Sequence, residues 1–521
     1  MSKPRLLIAL STFLIFAAPA RAQQIAASDL LFFRLSATTN RMAYQQRGGD
    51  VKTVDPLVAE ANKSMTADPL KAYRAYTQAL TLMSGAKWTP ESELATALDF
   101  TINAKTFAPG DYLQAKATFI FDAPAVTEPP YRLELELLKS DGTREALLEP
   151  GIMLGDVKGR RGGDFIGFAF EPSKGAPAGL HTIRATLKNS KGSTLFQYYR
   201  TFFVVSDVAR RIAALEKMVE TLADQNSLAA TTARHVLDSV RQAQAGYLGG
   251  PFQNLIGFLH TGFRANGLSA SEVMDFDAEL TRATNLLASL KENPRALESL
   301  RGDIRLAYRS SFDGKLVPYR IYVPTTYDKS KKYPLIMLLH GAGGDENNFL
   351  DRYQGLWPKL AEERGYIIAA ANGRGPVSGY TRESGGEQDV MDVIALAEKN
   401  YNIDASREYL AGHSMGGGGT WRLGFEYRTR FAALAPIAGT RPSPAIDAAI
   451  STGRKMPMLV ICGAKDALVP VEGCRQVADK LKSLGYAAKY LEFPNDDHFS
   501  VAVVSIKFIF DWFDAHRKEM P

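Results

Sequence analysis

Four short apolar runs toward the C-terminal end constrain the fold of this chain more than any other feature. They read YPLIMLLHG (333–341), YIIAAANG (366–373), EYLAGHS (408–414) and MLVICGAKD (458–466), and a more polar fifth, AKYLEFPN (488–495), follows. Their apolar residues are consecutive rather than alternating, and helical patterns lie between the runs. A strand with one face in water alternates, whereas a strand apolar throughout needs cover on both faces, which the crossover helices of a parallel sheet supply. Residues 301–521 are therefore expected to form a mostly parallel, doubly wound α/β sheet, a comfortable size for one domain. At its start, IRLAYRSSFDGKLVPYRIYVP predicts two strands around an Asp313-Gly314 turn.

Upstream the pattern differs. Residues 23–97 read as a helical segment, clearest in DPLKAYRAYTQALTLMSG, where Leu70, Tyr73, Tyr76, Ala79, Leu80 and Met83 recur at helical spacing. From 98 to 205 the period falls to two. YLQAKATFIF, YRLELELL, DFIGFAFEP, LHTIRATL and FQYYRTFFVV are separated by turn signals such as PGD, SDGT and KGAPAG, which predicts an antiparallel β-sandwich. The module resembles immunoglobulin-like units, without their Cys–Trp–Cys core. Residues 206–300 return to helix, with Ile212, Leu215, Val219 and Leu222 forming one apolar stripe.

The chain opens MSKPRLLIALSTFLIFAAPARAQQ. Lys3 and Arg5, a short apolar stretch and the small residues around Ala22 have the layout of a secretory signal peptide over residues 1–22. The apolar stretch is shorter than the roughly 20 residues that span a bilayer. The expectation is an exported protein, periplasmic or secreted, with no stable membrane insertion. Loss of Lys3, Arg5 and Arg21 with the leader halves the formal net charge of +6, and no basic cluster marks a nucleic-acid partner. The two cysteines, Cys462 and Cys474, either pair, as an oxidising compartment allows, or serve as small apolar side chains. No metal-ligand spacing accompanies them, so neither metal nor cofactor is expected.

The chemistry is written at the ends of the apolar runs, where a parallel sheet gathers reactive residues. One run ends in Gly412-His413-Ser414-Met415-Gly416, a G-x-S-x-G match between a strand and a helical pattern. An earlier one ends in His340-Gly341-Ala342-Gly343-Gly344, and later ones lead to Asp466 and His498. A serine hydroxyl is a poor nucleophile without an adjacent base. Ser414 is the candidate nucleophile, His498 its base, and Asp466 the group orienting the imidazole. The N–H groups of Met415 and Ala342 are candidates for the oxyanion hole. Asp496 and Asp497 adjoin His498 in sequence, but neighbouring positions seldom have the geometry, and Asp466 is preferred. His340 and His413 read as structural. Arg374 and Tyr380, in the loop ANGRGPVSGYTRESGGEQ, and Trp421 after the serine are candidate substrate contacts.

On LLHGAGGDENNF, YNIDASREYLAGHSMGGGGTW, FAALAPIAG and GAKDALVP, residues 301–521 resemble the α/β-hydrolase superfamily. They are similar to secreted polyhydroxybutyrate-depolymerase-like and feruloyl- or acetylxylan-esterase-like enzymes, and to predicted peptidases related to the prolyl oligopeptidase catalytic domain. The resemblance implies a Ser414–His498–Asp466 triad acting without a cofactor on a small-molecule or polysaccharide-linked ester. A prolyl-oligopeptidase-like peptidase is the alternative, but such enzymes usually carry a β-propeller, and no bladed repeat is present upstream. A binding or assembly protein with a vestigial site is a second alternative. The chemistry is expected to reside wholly in residues 301–521, the rest governing access, targeting or assembly.

Overall fold

The apolar run at 333–339 forms a strand whose successive side chains enter different cores. Leu335, Met337 and Leu339 point into one, Ile336 and Leu338 into the other, and all five are essentially inaccessible to solvent. Full burial of each such side chain is worth about 1.5–3 kcal/mol, so both faces must be covered.

The computed structural model describes residues 25–519 apart from 26, 112, 123, 125–129, 139–142, 155–159, 163–164, 171–176, 246–273, 294, 376, 440–443 and 453. The expected signal peptide lies outside the described residues.

In chain order, helices α1 (Ala27–Gln46), α2 (Asp55–Ser64), α3 (Pro69–Met83) and α4 (Pro90–Ala97) come first. Asp68 starts α3 by accepting the Lys71 N–H, and Tyr73, Tyr76, Ala79, Leu80 and Met83 turn inward while Leu70 faces out. Eight strands follow: β1 (Leu98–Ile102), β2 (Thr106–Phe107), β3 (Leu113–Phe119), β4 (Arg132–Leu138), β5 (Arg144–Met153), β6 (Phe165–Phe170), β7 (Gly179–Lys188) and β8 (Thr194–Val204). They form two sheets, ordered β1-β3-β6 and β2-β8-β7-β4-β5. All pairings are antiparallel except β2 with β8.

Phe100 and Phe119 from one sheet, Leu135 and Ile183 from the other, and Phe33 and Tyr73 from the helices all belong to a single core. The packing therefore runs without a break across the 97/98 boundary expected from the change of period. Between the sheets Arg200 of β8 reaches Asp99 of β1 at 2.7 Å, with both side chains fully buried.

Helices α5 (Val208–Glu220), α6 (Leu228–Ala245) and α7 (Phe276–Glu292) pack together against Phe203 and Val205 at the end of β8. They also join the second half of the molecule. On α6, Thr232 Oγ1 accepts the Ala307 N–H at 2.9 Å, and Thr231 Oγ1 donates to the Ala307 carbonyl at 2.6 Å.

Ala307 lies in β9 (Gly302–Arg309), the first strand of an eight-stranded sheet. Its companions are β10 (Leu316–Val323), β11 (Tyr333–Leu339), β12 (Ile367–Ala371), β13 (Ile403–His413), β14 (Ala433–Ile437), β15 (Met458–Gly463) and β16 (Ala488–Phe493), in spatial order β16-β15-β14-β13-β11-β12-β10-β9. β10 runs antiparallel to β9 and β12, and the remaining pairs are parallel. On one face lie α9 (Gly386–Asn400), α10 (Met415–Glu426), α11 (Pro444–Thr452) and α12 (Val471–Ser483); on the other lie α8 (Leu356–Arg364) and α13 (Ile506–Asp514). Cys462 in β15 and Cys474 in α12 are joined by a disulfide.

Candidate active site

Ser414 stands between the last residue of β13 and the first of α10, at φ 57° and ψ −114°. A non-glycine residue rarely holds a positive φ, and the strain persists only where surroundings enforce it. Here the Ser414 N–H donates to the Ile437 carbonyl at 2.9 Å, and its own carbonyl accepts from Gly418 at 3.0 Å. The turn is so tight that a Cβ at Gly416 would collide with the Leu339 backbone, and one at Gly412 with the Gly416 backbone. This is why the sequence has glycine on either side of the serine.

His498 follows β16 and Asp466 follows β15, so neighbouring strands deliver both to the serine. The His498 Nδ1–H donates to Asp466 Oδ2 at 2.7 Å, and Nε2 lies 2.8 Å from Ser414 Oγ. The other Asp466 oxygen accepts the N–H groups of Leu468 and Val469, each at 2.8 Å, which fixes the carboxylate. Asp497 turns away and caps its own loop through the Phe499 and Ser500 N–H groups.

The His413 Nε2 lies 2.7 Å from the carbonyl of His498, which can only accept, so Nε2 carries the proton. Burial, reinforced by the neighbouring His498, holds the His413 pKa down to about 3. His413 is thus a neutral strut under the His498 backbone. His340 is likewise buried, with its ring nitrogens against the carbonyls of Gly341 and Asn372, and burial lowers its pKa.

The N–H of Met415, at the first position of α10, and that of Ala342, in the turn after β11, have no acceptor among the described residues. The first N–H groups of a helix lack intrahelical partners and carry partial positive charge. Ser414 lines a cavity of about 170 Å³ whose other lining residues include Ala342, Gly343, Leu468, His498 and Phe499.

The three candidate substrate contacts do not line this cavity. Arg374 is folded back onto the buried Asp389, with its Nε at 2.8 Å from Oδ1, and also pairs with Asp313. Tyr380 is fully buried behind the turn and donates its hydroxyl to the His340 carbonyl at 3.1 Å. Trp421 sits in the core, its ring stacked on Phe425. Loop and helix positions near a motif suggested contact, but packing turned all three inward. The walls instead include Tyr353 and, from α1, Phe32, Leu35 and Ser36. One signal for the helix was present in the run LLFFRL. A helix apolar on more than one stripe is packed on more than one side.

No family model matches the chain. It is similar to a probable feruloyl esterase C of Aspergillus terreus, with 29% identity over 168 residues that cover 31% of this chain and 59% of that one. A bifunctional acetylxylan esterase/xylanase of Neocallimastix patriciarum is 28% identical over 185 residues, covering 34% and 26%. A dipeptidyl-peptidase 5 of Aspergillus fumigatus is 27% identical over 237 residues, covering 36% and 32%. The chain thus spans between about a quarter and three-fifths of these relatives' lengths. Among solved structures, a thermostable esterase is 15% identical with a TM-score of 0.37, covering 81% of this chain and 100% of its own. A fluorophosphonate-binding serine hydrolase of Staphylococcus aureus is 20% identical with a TM-score of 0.36, covering 41% and 98%. The C-terminal part of the chain is thus similar in sequence to esterases and to a dipeptidyl peptidase, all of them hydrolases.

Proposed function

We propose that this protein is an exported esterase that cleaves carboxylic esters through an acyl-enzyme formed on Ser414. The observation that carries the reading is the continuous hydrogen-bonded relay from Ser414 Oγ through His498 to Asp466, at 2.8 and 2.7 Å. Ser414 Oγ attacks the ester carbonyl carbon while His498 Nε2 takes the hydroxyl proton. The carbonyl oxygen, now negative, accepts from the Met415 and Ala342 N–H groups. Collapse expels the alkoxide, which receives the proton from His498 and leaves as the alcohol. A water molecule then repeats the sequence on the acyl-enzyme, releasing the carboxylic acid and restoring Ser414. Asp466 holds the imidazole in the tautomer this requires and stabilises its charged form.

The relatives act as feruloyl and acetylxylan esterases and as a dipeptidyl peptidase by name. An ester substrate is favoured over a dipeptide amide by the charge of the cavity. Among the described residues, the walls beyond the triad offer no carboxylate to a substrate's free α-amino group. A vestigial site is disfavoured because the relay is intact and its carboxylate is held by two further N–H groups. Export is supported by the leader-like start of the sequence and by the Cys462–Cys474 disulfide, a bond that persists in oxidising compartments. The two-sheet module we read as immunoglobulin-like, serving to mount the N-terminal helices beside the catalytic unit.

The test is a hydrolysis panel on the mature protein, comparing p-nitrophenyl and feruloyl esters with dipeptidyl and prolyl amides, alongside Ser414→Ala. Ester turnover that Ser414→Ala abolishes supports the reading. Turnover confined to the amides would replace it with a peptidase, and none at all would leave a binding protein.

A further inference from the structure

The cavity at Ser414 is closed in part by a helix nearly four hundred residues away in the chain. Phe32, Leu35 and Ser36 of α1 lie at i, i+3 and i+4, on one face of that helix, and all three line the cavity. The Phe32 ring lies against Gly343, at φ 86°, so closely that a Cβ at that position would run into it. The backbone turn carrying Ala342 is therefore in direct contact with a side chain from the opposite end of the sequence.

Helix α1 is not a loose flap. Its adjoining stripe, Leu30, Phe33 and Ala37, is fully buried in the core shared with α3 and the two upstream sheets. Phe33 meets Tyr73 edge-on at 5.2 Å, and Arg41 pairs with Asp55 of α2. Leu30, Phe33 and Ala37 anchor the helix, and Phe32 and Leu35, which also adjoin that core, line the cavity.

Which part of a substrate meets Phe32 follows from the direction of the chemistry. His498 must reach the leaving-group oxygen to protonate it. Leu468 and Phe499, next to the relay residues in the chain, would then flank the alcohol, and the acyl group would lie toward Gly343 and the Phe32 ring packed on it. The volume sets the scale. An apolar cavity of about 150 Å³ admits a benzene molecule, and the whole cavity here measures about 170 Å³.

We propose that Phe32 and Leu35 form the end wall of the acyl-binding site and limit it to compact apolar acyl groups, a single ring or a short aliphatic chain. The inference rests on the reading of Ser414 as an ester-cleaving nucleophile. It makes the site composite: residues 301–521 supply the reacting groups, and α1 supplies the selectivity.

The test compares kcat/KM for p-nitrophenyl octanoate and p-nitrophenyl acetate in the full-length mature protein, its Phe32→Ala, Phe32→Trp and Leu35→Ala variants, and Arg34→Ala on the exposed side of α1. One methylene in an apolar pocket discriminates by about 10-fold or more. The octanoate-to-acetate ratio should accordingly rise at least about tenfold in Phe32→Ala, rise less in Leu35→Ala, fall in Phe32→Trp and stay unchanged in Arg34→Ala. If Phe32→Ala melts early, Phe32→Trp, which keeps an aromatic anchor, decides through its fall. A ratio within twofold of wild type in every folded variant, with turnover still dependent on Ser414, would overturn the acyl wall and leave the esterase reading standing. Absence of Ser414-dependent ester turnover in the wild type would overturn both.

Discussion

Replacing Asp466 with Asn exchanges one carboxylate oxygen for an NH₂ group and inverts the function of the relay. One carboxylate oxygen of Asp466 accepts the Leu468 and Val469 N–H groups, and the other accepts the His498 Nδ1–H. In the variant the amide oxygen keeps the two backbone donors, which leaves the NH₂ facing Nδ1. A donor there makes Nδ1 an acceptor, so the ring proton moves to Nε2 and that nitrogen can no longer take the proton of Ser414. The wrong tautomer in a relay of this kind costs about 10⁴ in kcat, or about 5.5 kcal/mol of barrier at about 1.4 kcal/mol per tenfold. Asp497→Asn is the matched control. Its Oδ1 caps the Phe499 and Ser500 N–H groups, which an amide oxygen accepts equally well, so the loss should stay within about threefold. The assay is kcat on a p-nitrophenyl ester for both variants, with circular dichroism melts to confirm folding. Equal losses, or a larger loss at Asp497, would refute the assignment of the acid.

Three further outcomes follow from buried or linked groups. Asp99→Ala leaves the fully buried Arg200 without its carboxylate and should lower stability by about 3–5 kcal/mol, read as an earlier urea transition by circular dichroism, whereas Asp99→Leu with Arg200→Met should recover most of it. Burial, and then the neighbouring Asp345, push the Glu346 carboxyl up to about 7. The folded chain thus keeps a proton that the unfolded chain releases near pH 4.3, so this group's stability contribution is present at low pH and declines as pH rises to about 7. Glu346→Gln does not titrate, and its melting temperature should gain on wild type across that window; a constant difference would contradict the shift. Cys474→Ala should cost about 3 kcal/mol, and reductant should lower the melting temperature of the wild type but not of the variant.

The arrangement of Ser414, His498 and Asp466 was legible because chemistry and backbone geometry impose residue types locally. Gly412 and Gly416 mark the elbow, since no side chain fits there, and strand ends deliver Asp466 and His498 in an order the sequence displays. The doubly wound sheet was legible for a similar reason: consecutive apolar residues in β11 and β12 admit few other arrangements. The five upstream runs lie in β3, β4, β6, β7 and β8, whereas β1, β2 and β5 carry no comparable alternating run between turn signals. β1 continues directly from α4 without a turn signal, β2 is two residues long, and β5 contains Pro150-Gly151, a pair that ordinarily marks a turn. What lay furthest from view was long-range packing. Nothing local says that Arg374 is drawn onto Asp389, or that Tyr380 and Trp421 face inward. The placement of Phe32 against Gly343 depends on two cores and a bridging helical layer, each of which the sequence expresses only as apolar periodicity.

The central claim is that Ser414 is the bond-forming atom, and covalent capture tests it most directly. The mature protein, treated with a fluorophosphonate and digested, should carry one label, on the peptide holding Ser414, and His498→Ala should slow labelling by several orders of magnitude. A label on another serine, or an unlabelled protein with an unperturbed melt, would contradict the account.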